Sequence, residues 1–161
     1  MSYTTILAAI KSDLQAVSGV QNVHDYIRYK KDETEQKQIA IPGYVEGAPD
    51  QIIHMWEITR TATEIQDDST FQDQDYTEHV FKLIGFYGIR DADLSEKTFQ
   101  QLGDDICNSF NNKANLQPTA QSYRLKGVFI EEFVNVMDAP FKGALCHRMT
   151  INLRVSEDVN L

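Results

Sequence analysis

Cysteine is scarce in this chain of 161 residues, which contains two, Cys107 and Cys146. Two cysteines cannot build a multiply bridged disulfide scaffold, and this pair lacks the CxxC spacing of zinc and redox sites. We therefore expect a protein that is kept in a reducing cytoplasm and held together by an apolar core.

Long hydrophobic runs are also missing. The longest spans only a few residues, whereas a helix that crosses a bilayer needs roughly 20. Met1 leads directly into an amphipathic stretch, without the basic and apolar segments of a secretory signal. The sequence predicts a soluble protein with no membrane segment.

Basic residues are outnumbered, because 15 Lys and Arg stand against 24 Asp and Glu and the formal net charge is −9. Such a charge repels phosphate backbones at long range, so a nucleic-acid reader would need a concentrated basic face, and none is visible. The balance favours solubility, or a surface past which DNA moves without sticking.

The first third of the chain predicts a helix, a strand and a connector. Residues 3–17 carry apolar residues at spacings of three and four, and Gly19 follows where a left-handed C-cap is expected. Residues 20–29 favour a strand. Residues 30–50 begin with a polar run and continue with turn-forming Pro and Gly, so we expect a long flexible connector or arm there.

Two strands follow the connector, separated by an acidic loop. Residues 52–60 and 76–89 are rich in β-branched and aromatic residues. Between them, residues at about 62–75 are acidic and polar, which predicts a loop. The second of these strands is apolar on both faces, as expected of a central strand or of one whose second face meets a partner.

The rest of the chain predicts a helix and a final pair of strands. Asp93 followed by Glu96 matches a capping box, and an apolar stripe at helical spacing continues from there to Phe110. Residues 127–136 and 144–155 are typical of strands, and the last one alternates strictly between apolar and polar positions.

Together these elements predict one α+β domain over residues 1–161, in the order α-β-β-β-α-β-β. We expect a mostly antiparallel sheet of about five strands with two helices packed on one face. The sequence contains no internal repeat.

Reactive residues are present but are not spaced for chemistry. Cys146 and His147 are neighbours on one predicted strand and so point to opposite faces, which prevents this histidine from activating this thiol. The histidines come from four predicted strands and lack the HxH or HxxxH spacing of a metal site: His24, His54, His79 and His147. We expect no catalytic residue, no metal and no cofactor.

A resemblance rests on two segments. Residues 78–106, EHVFKLIGFYGIRDADLSEKTFQQLGDDI, join an apolar strand to a Gly-aromatic-aromatic-Gly turn, an acidic turn and an amphipathic helix. Residues 141–155, FKGALCHRMTINLRV, form the long last strand. Both segments, and the order of elements over most of the chain, resemble the tail terminator proteins of long-tailed bacteriophages.

The resemblance implies a structural virion protein that forms a hexameric ring. Such a ring caps the tail tube, stops tube polymerisation and docks the tail to the head connector. It would bind the tail tube protein and a head-completion or connector protein in the virion neck, after assembly in the host cytoplasm, and DNA would pass through its lumen.

Two alternatives stand beside this interpretation. One is another phage neck protein that serves head closure or tail completion. The other is a non-viral cytoplasmic ligand-binding α+β domain that dimerises through its sheet.

Two surfaces would serve the ring. Acidic side chains of the predicted loop would line the lumen, where like charge keeps DNA from sticking: Glu64, Asp67, Asp68, Asp73 and Asp75. Contacts between subunits are expected from two arginines and two aromatic residues: Arg148, Arg154, Phe86 and Tyr87. The arginines fit a solubilising outer face equally well.

Overall fold

A computed structural model describes residues 3–28, 33–49, 51–66, 76–113, 123–137 and 145–158. The helices are α1 (Tyr3–Gln15), α2 (Glu33–Ala40) and α3 (Ser95–Asn111), with a short 3₁₀ turn at Asp91–Asp93. The strands are β1 (Val23–His24), β2 (His54–Gln66), β3 (Tyr76–Gly88), β4 (Tyr123–Met137) and β5 (Leu145–Asp158). None of the described helices has the length and apolarity needed to cross a lipid bilayer.

The strands form one five-stranded sheet in the order β1-β2-β3-β5-β4. The short β1 runs parallel to β2, and every other neighbouring pair is antiparallel. Two long hairpins, β2–β3 and β4–β5, therefore meet along β3 and β5 at the centre of the sheet. The α+β class and the predicted order of elements are confirmed.

Helices α1 and α3 cover one face of this sheet, here called the core face. The alternation of β5 places its apolar residues there, and the apolar stripe of α3 packs against them. The fully buried members of this core include Ile6, Ile10, Leu14, Trp56, Ile58, Phe81, Leu83, Phe99, Ile106, Met149 and Ile151. Burial of each large apolar side chain contributes about 1.5–3 kcal/mol, which makes this face the main source of stability.

The opposite face, here called the second face, carries a helix that was not expected. Within the predicted connector, α2 packs its last residues Ile39 and Ala40 against Met55, Phe86 and Cys146. The prediction that the helices occupy one face thus holds for α1 and α3 only. Sequence periodicity missed α2 because its eight residues are mostly polar and only its end is apolar.

Two strand boundaries differ from the predicted ones. The strand expected over 20–29 is limited to β1, because the chain turns at Asn22, whose φ is +56°. Strand β2 continues to Gln66, so residues 62–66 belong to a strand and not to the predicted acidic loop. The rest of that loop, residues 67–75, lies outside the described part of the chain.

The start of α3 is built differently from the predicted capping box. The helix begins at Ser95, after Leu94 in the left-handed conformation with φ +52°, and the cap position makes no side-chain hydrogen bond. The backbone N–H of Arg90 instead donates to Ser95 Oγ at 2.9 Å. A turn that folds back on the first helical residue therefore replaces the Asp93–Glu96 cap.

Candidate functional site: a polar row, a cleft and the open parts of the sheet

A row of polar side chains crosses one end of the core face. Strand register places His54 of β2 opposite Tyr87 of β3, Tyr87 opposite His147 of β5, and His147 opposite Asn135 of β4. Two of the four histidines thus fall on one line across the sheet, with a tyrosine between them. The sequence placed these residues on separate strands but carried no signal for their register.

His147 lies at the centre of a hydrogen-bonded chain. Its Nε2 lies 3.0 Å from Ser95 Oγ, and its Nδ1 lies 2.6 Å from Asn135 Oδ1. Since the amide oxygen of Asn135 can only accept, Nδ1–H of His147 must donate. Nε2 is then the acceptor of the Ser95 hydroxyl proton, while the Ser95 oxygen accepts from the Arg90 N–H.

Hydrogen-bonded Ser–His–Asp or Ser–His–Glu triads activate a serine nucleophile in hydrolases, and this network resembles them with the uncharged Asn135 in place of the acid. In this protein, however, Ser95 is 2% exposed and His147 is 3% exposed. The rings of Phe99 and Phe133 stack on the imidazole, with centroids at 6.3 and 5.5 Å. A substrate could not reach the hydroxyl, so this network joins the start of α3 to β4 and β5.

His54 closes the other end of the row and borders a surface cleft. The cleft encloses about 630 Å³ between α3 and the turn after α1, with Lys97, Gln101 and Asp105 on its rim. A second cleft of about 390 Å³, lined by residues of the 41–52 segment, shares the His54 and Tyr87 wall. Both clefts are open to solvent.

The imidazole of His54 is held neutral. Burial lowers the pKa of His54 to about 4, and its Nε2 is buried without a hydrogen-bond partner. The edge of the ring meets Tyr87, with ring centroids 5.1 Å apart. At neutral pH, His54 therefore contributes an uncharged aromatic surface and offers no cation to a ligand.

The other two histidines have partners within the chain. His24 Nε2 contacts the backbone oxygen of Ile39 at 3.1 Å, and His79 Nε2 lies 3.0 Å from Glu157 Oε2. No cluster of three or more His, Cys, Asp or Glu side chains suited to a metal ion occurs within the described ranges.

Both thiols are in environments that suppress their reactivity. Cys146 is 1% exposed, and burial raises the pKa of its thiol to about 11, although Arg148 acts in the opposite direction. Burial, with Asp104 nearby, also raises the pKa of Cys107. Because the thiolate is the nucleophilic form, neither cysteine is prepared for covalent chemistry.

The second face beyond α2 combines ion pairs with apolar surface. Arg148 Nη2 contacts Glu132 Oε1 at 2.9 Å, and Lys82 pairs with Glu131. These pairs stand beside Phe129, which is 47% exposed. Arg154 Nη1 lies 3.6 Å from Glu78 Oε1 on the same face.

The residues proposed for contacts between subunits are thus divided among different environments. Arg148 and Arg154 lie on the second face, each near an acid of its own chain. Phe86 is 6% exposed and packs under α2 within its own chain, and its contact with a neighbouring subunit stays a prediction. Tyr87 is half-buried on the core face, stacked on Phe99 at 5.3 Å.

Of the acids proposed for the lumen, the structure describes one. Glu64 is exposed near the end of β2. The other four, Asp67, Asp68, Asp73 and Asp75, lie outside the described residues.

Strand β4 was predicted, but its position at the edge of the sheet was not. It forms one edge of the sheet, and no described strand pairs with its outer side. Its register with β5 shifts at two bulges, between Leu125 and Gly127 and between Ile130 and Glu132. The only signal in the sequence is the interruption of strict alternation in GVFIEEFV, which is also compatible with an internal strand.

In comparisons with known proteins, no protein-family profile and no curated protein matches the chain.

Proposed function

We propose that this protein is a non-catalytic structural subunit of a tailed bacteriophage, and specifically the tail terminator. Copies of the chain form a ring, hexameric by resemblance, that caps the tail tube and stops its polymerisation. The ring then docks the tail to a head-completion or connector protein in the virion neck. DNA passes through the lumen as cargo.

The observation that carries this proposal is the unequal covering of the two sheet faces. Helices α1 and α3 bury the core face, whereas among the described residues α2 covers only part of the second face. The remainder exposes Phe129 beside the Arg148–Glu132 and Lys82–Glu131 pairs. Aromatic and arginine side chains among satisfied polar groups are typical of protein–protein interfaces.

A ring explains how such a surface can end a tube. A head-to-tail interface between identical subunits repeats until the subunits close into a ring. If the upper face of that ring differs from its lower face, it offers no site for another layer of the tube. The order of elements on which the resemblance partly rests, two hairpins with a helix between them, is the order of the described strands and of α3, and it supports the proposal.

The acidity of the chain is consistent with a channel for DNA. Glu64 stands exposed near the end of β2 and leads into the segment that contains Asp67, Asp68, Asp73 and Asp75. In our proposal this segment lines the lumen, where negative charge prevents the phosphate backbone from binding.

The surroundings of the potentially reactive side chains also support a structural role. The Ser95 hydroxyl and the Cys146 thiol are both buried, and the histidines nearest to them serve packing and hydrogen bonding. The proposal therefore assigns no reaction to this chain.

Negative-stain electron microscopy tests the proposal directly. The purified protein is imaged alone and after incubation with tail tubes from the phage whose genes adjoin its own. We expect six-fold rings, or caps at one end of the tubes. If neither sample contains rings or caps, the terminator assignment is wrong, and caps on portal or connector particles alone would indicate a head-closure protein.

A pair of charge reversals asks whether the second face makes the ring contacts. Arg154→Glu changes an exposed side chain of that face, whereas Lys97→Glu changes an exposed side chain of α3. Both variants should fold. We expect Arg154→Glu to reduce the fraction of protein in rings and Lys97→Glu to leave it unchanged, and the reverse result would place the contacts on the core-face helices.

A further inference from the structure

The outer edge of β4 carries a self-complementary sequence. Its central residues read Lys-Gly-Val-Phe-Ile-Glu-Glu from Lys126 to Glu132. Counted outward from Phe129, an aliphatic residue stands on each side, and a cation three residues before it matches an anion three residues after it. An antiparallel copy of the same strand would place opposite charges against each other at both ends.

The faces of these residues agree with that pairing. Phe129 lies opposite Asn152 of β5 and so belongs to the second face, while Val128 and Ile130 lie opposite Leu153 and Ile151 on the core face. Directly paired residues of two strands must share a face. A two-fold axis through Phe129 meets this condition for the aromatic and both aliphatic residues.

We propose that the free subunit dimerises by antiparallel pairing of β4 with β4 of a second copy. In this dimer Phe129 lies opposite Phe129 of the second copy. Val128 lies opposite Ile130 and Lys126 opposite Glu132, and the two-fold axis makes each of these two pairs occur twice. The two sheets become continuous. This inference goes beyond the proposed function, because it concerns the subunit before it joins a ring.

The edge has a physical reason to pair. Lys126, Phe129 and Glu132 are exposed, and an edge strand presents unpaired N–H and C=O groups that favour pairing with another chain. Phe129 loses its exposed area against its symmetry mate, and aromatic pairs across antiparallel strands are favourable. The symmetric pairing would occupy the edge and so prevent open-ended aggregation.

The same edge limits the strength of the dimer. Bulges between Leu125 and Gly127 and between Ile130 and Glu132 leave only the stretch from Gly127 to Ile130 in regular register. Glu132 also contacts Arg148 in its own chain, although a carboxylate has acceptor sites for both cations. We therefore expect a weak, reversible dimer that later assembly can displace.

Charge exchange provides the first test. Sedimentation velocity over a concentration series gives the dimer dissociation constant of the wild type and of Lys126→Glu, Glu132→Lys and the double variant. Each single change places like charges opposite each other twice, and should weaken the dimer by about tenfold. The double variant exchanges the two charges, and its affinity should return close to that of the wild type.

Cross-linking provides the second test. In a Cys107→Ser background, Phe129→Cys places two thiols opposite each other on the two-fold axis, at a separation that a disulfide can span. Val134→Cys lies on the same strand and face but away from the axis. Mild oxidation should give a disulfide-linked dimer with Phe129→Cys and not with the matched control.

Each outcome decides the inference. A protein that is monomeric at every concentration, or a dimer that neither the charge exchange nor the Phe129→Cys cross-link affects, would overturn it. Rings without a free dimer would refute this inference and leave the terminator proposal intact, whereas β4-linked dimers without rings on any tube would do the opposite.

Discussion

The indole ring of Trp56 lies directly over Gly85, its cross-strand partner in the β2–β3 hairpin. A Cβ atom built on Gly85 would lie 2.6 Å from Cη2 of the indole, closer than any real contact. Both residues are buried, and the indole also packs against Phe99 of α3 with ring centroids 5.7 Å apart. The missing side chain therefore makes room for the largest residue of the core.

Gly85→Ala should destabilise the protein by about 1–3 kcal/mol, because the rigid indole cannot yield and overpacking strains the core. Urea denaturation followed by far-UV circular dichroism measures the change. Gly127→Ala is the matched control, since a Cβ at Gly127 meets nothing within 4 Å. Equal midpoints for Gly85→Ala and the wild type would show that the Trp56 ring can move aside.

Gly103→Ala tests a second close contact, in which the neighbouring side chain is flexible. On α3, a Cβ at this position would overlap Sδ and Cε of Met149 and approach Ile130 Cδ1 at 3.1 Å. Met149 is flexible, and alanine favours a helix interior over glycine by about 1 kcal/mol, so the two effects oppose each other. We expect a smaller loss of unfolding free energy than for Gly85→Ala, and a larger loss would mean that α3 cannot shift from the sheet.

Ser95→Ala should remove the link between α3 and the polar row. The substitution removes the hydrogen bonds that Ser95 Oγ makes with His147 Nε2 and with the Arg90 N–H, at a cost of about 1–3 kcal/mol. Thermal unfolding of this variant is compared with that of Thr98→Ala, an exposed hydroxyl on the first turns of the same helix. Similar midpoints for the two variants would argue against a structural role for the network.

His54 should make the protein sensitive to mild acid. Its pKa is about 4 in the folded state against 6.5 in the unfolded chain, so between these values the unfolded state binds more protons. The contribution of neutral His54 to stability is therefore fully present above about pH 6.5 and is lost as the pH falls to about 4, which lowers the free energy of unfolding by roughly 3 kcal/mol.

The comparison of wild type with His54→Leu isolates this contribution. Free energies of unfolding are measured by urea titration at several pH values. The value for the wild type minus the value for His54→Leu should decrease as the pH falls. A constant difference across this range would show that His54 titrates normally in the folded protein.

The two thiols should differ in their rate of labelling. Cys146 is 1% exposed and Cys107 is half-buried, while burial raises the pKa of both. With a disulfide reagent at mildly alkaline pH, we expect Cys107 to react slowly and Cys146 only after denaturation. Mass spectrometry of Cys107→Ser and Cys146→Ser assigns each phase, and fast native labelling of Cys146 would contradict its burial.

Sequence patterns predicted most of the strands and both long helices, because each depends on local periodicity. The strand expected over 76–89 is observed at Tyr76–Gly88, and the stripe ending at Phe110 is the buried face of α3. The errors occurred where periodicity was weak. Helix α2 is polar except at its end, and the start of α3 depends on a contact between Arg90 and Ser95 that no capping rule anticipates.

Composition and alternation by themselves determined that this protein is an acidic α+β domain with an antiparallel sheet, since charge balance and side-chain period are properties of the chain. Only the tertiary structure decided which residues meet. The row from His54 to Asn135, the contact of Trp56 with Gly85 and the position of β4 at the sheet edge all depend on strand order and register. Register is set when whole faces are buried together, and no single segment contains that information.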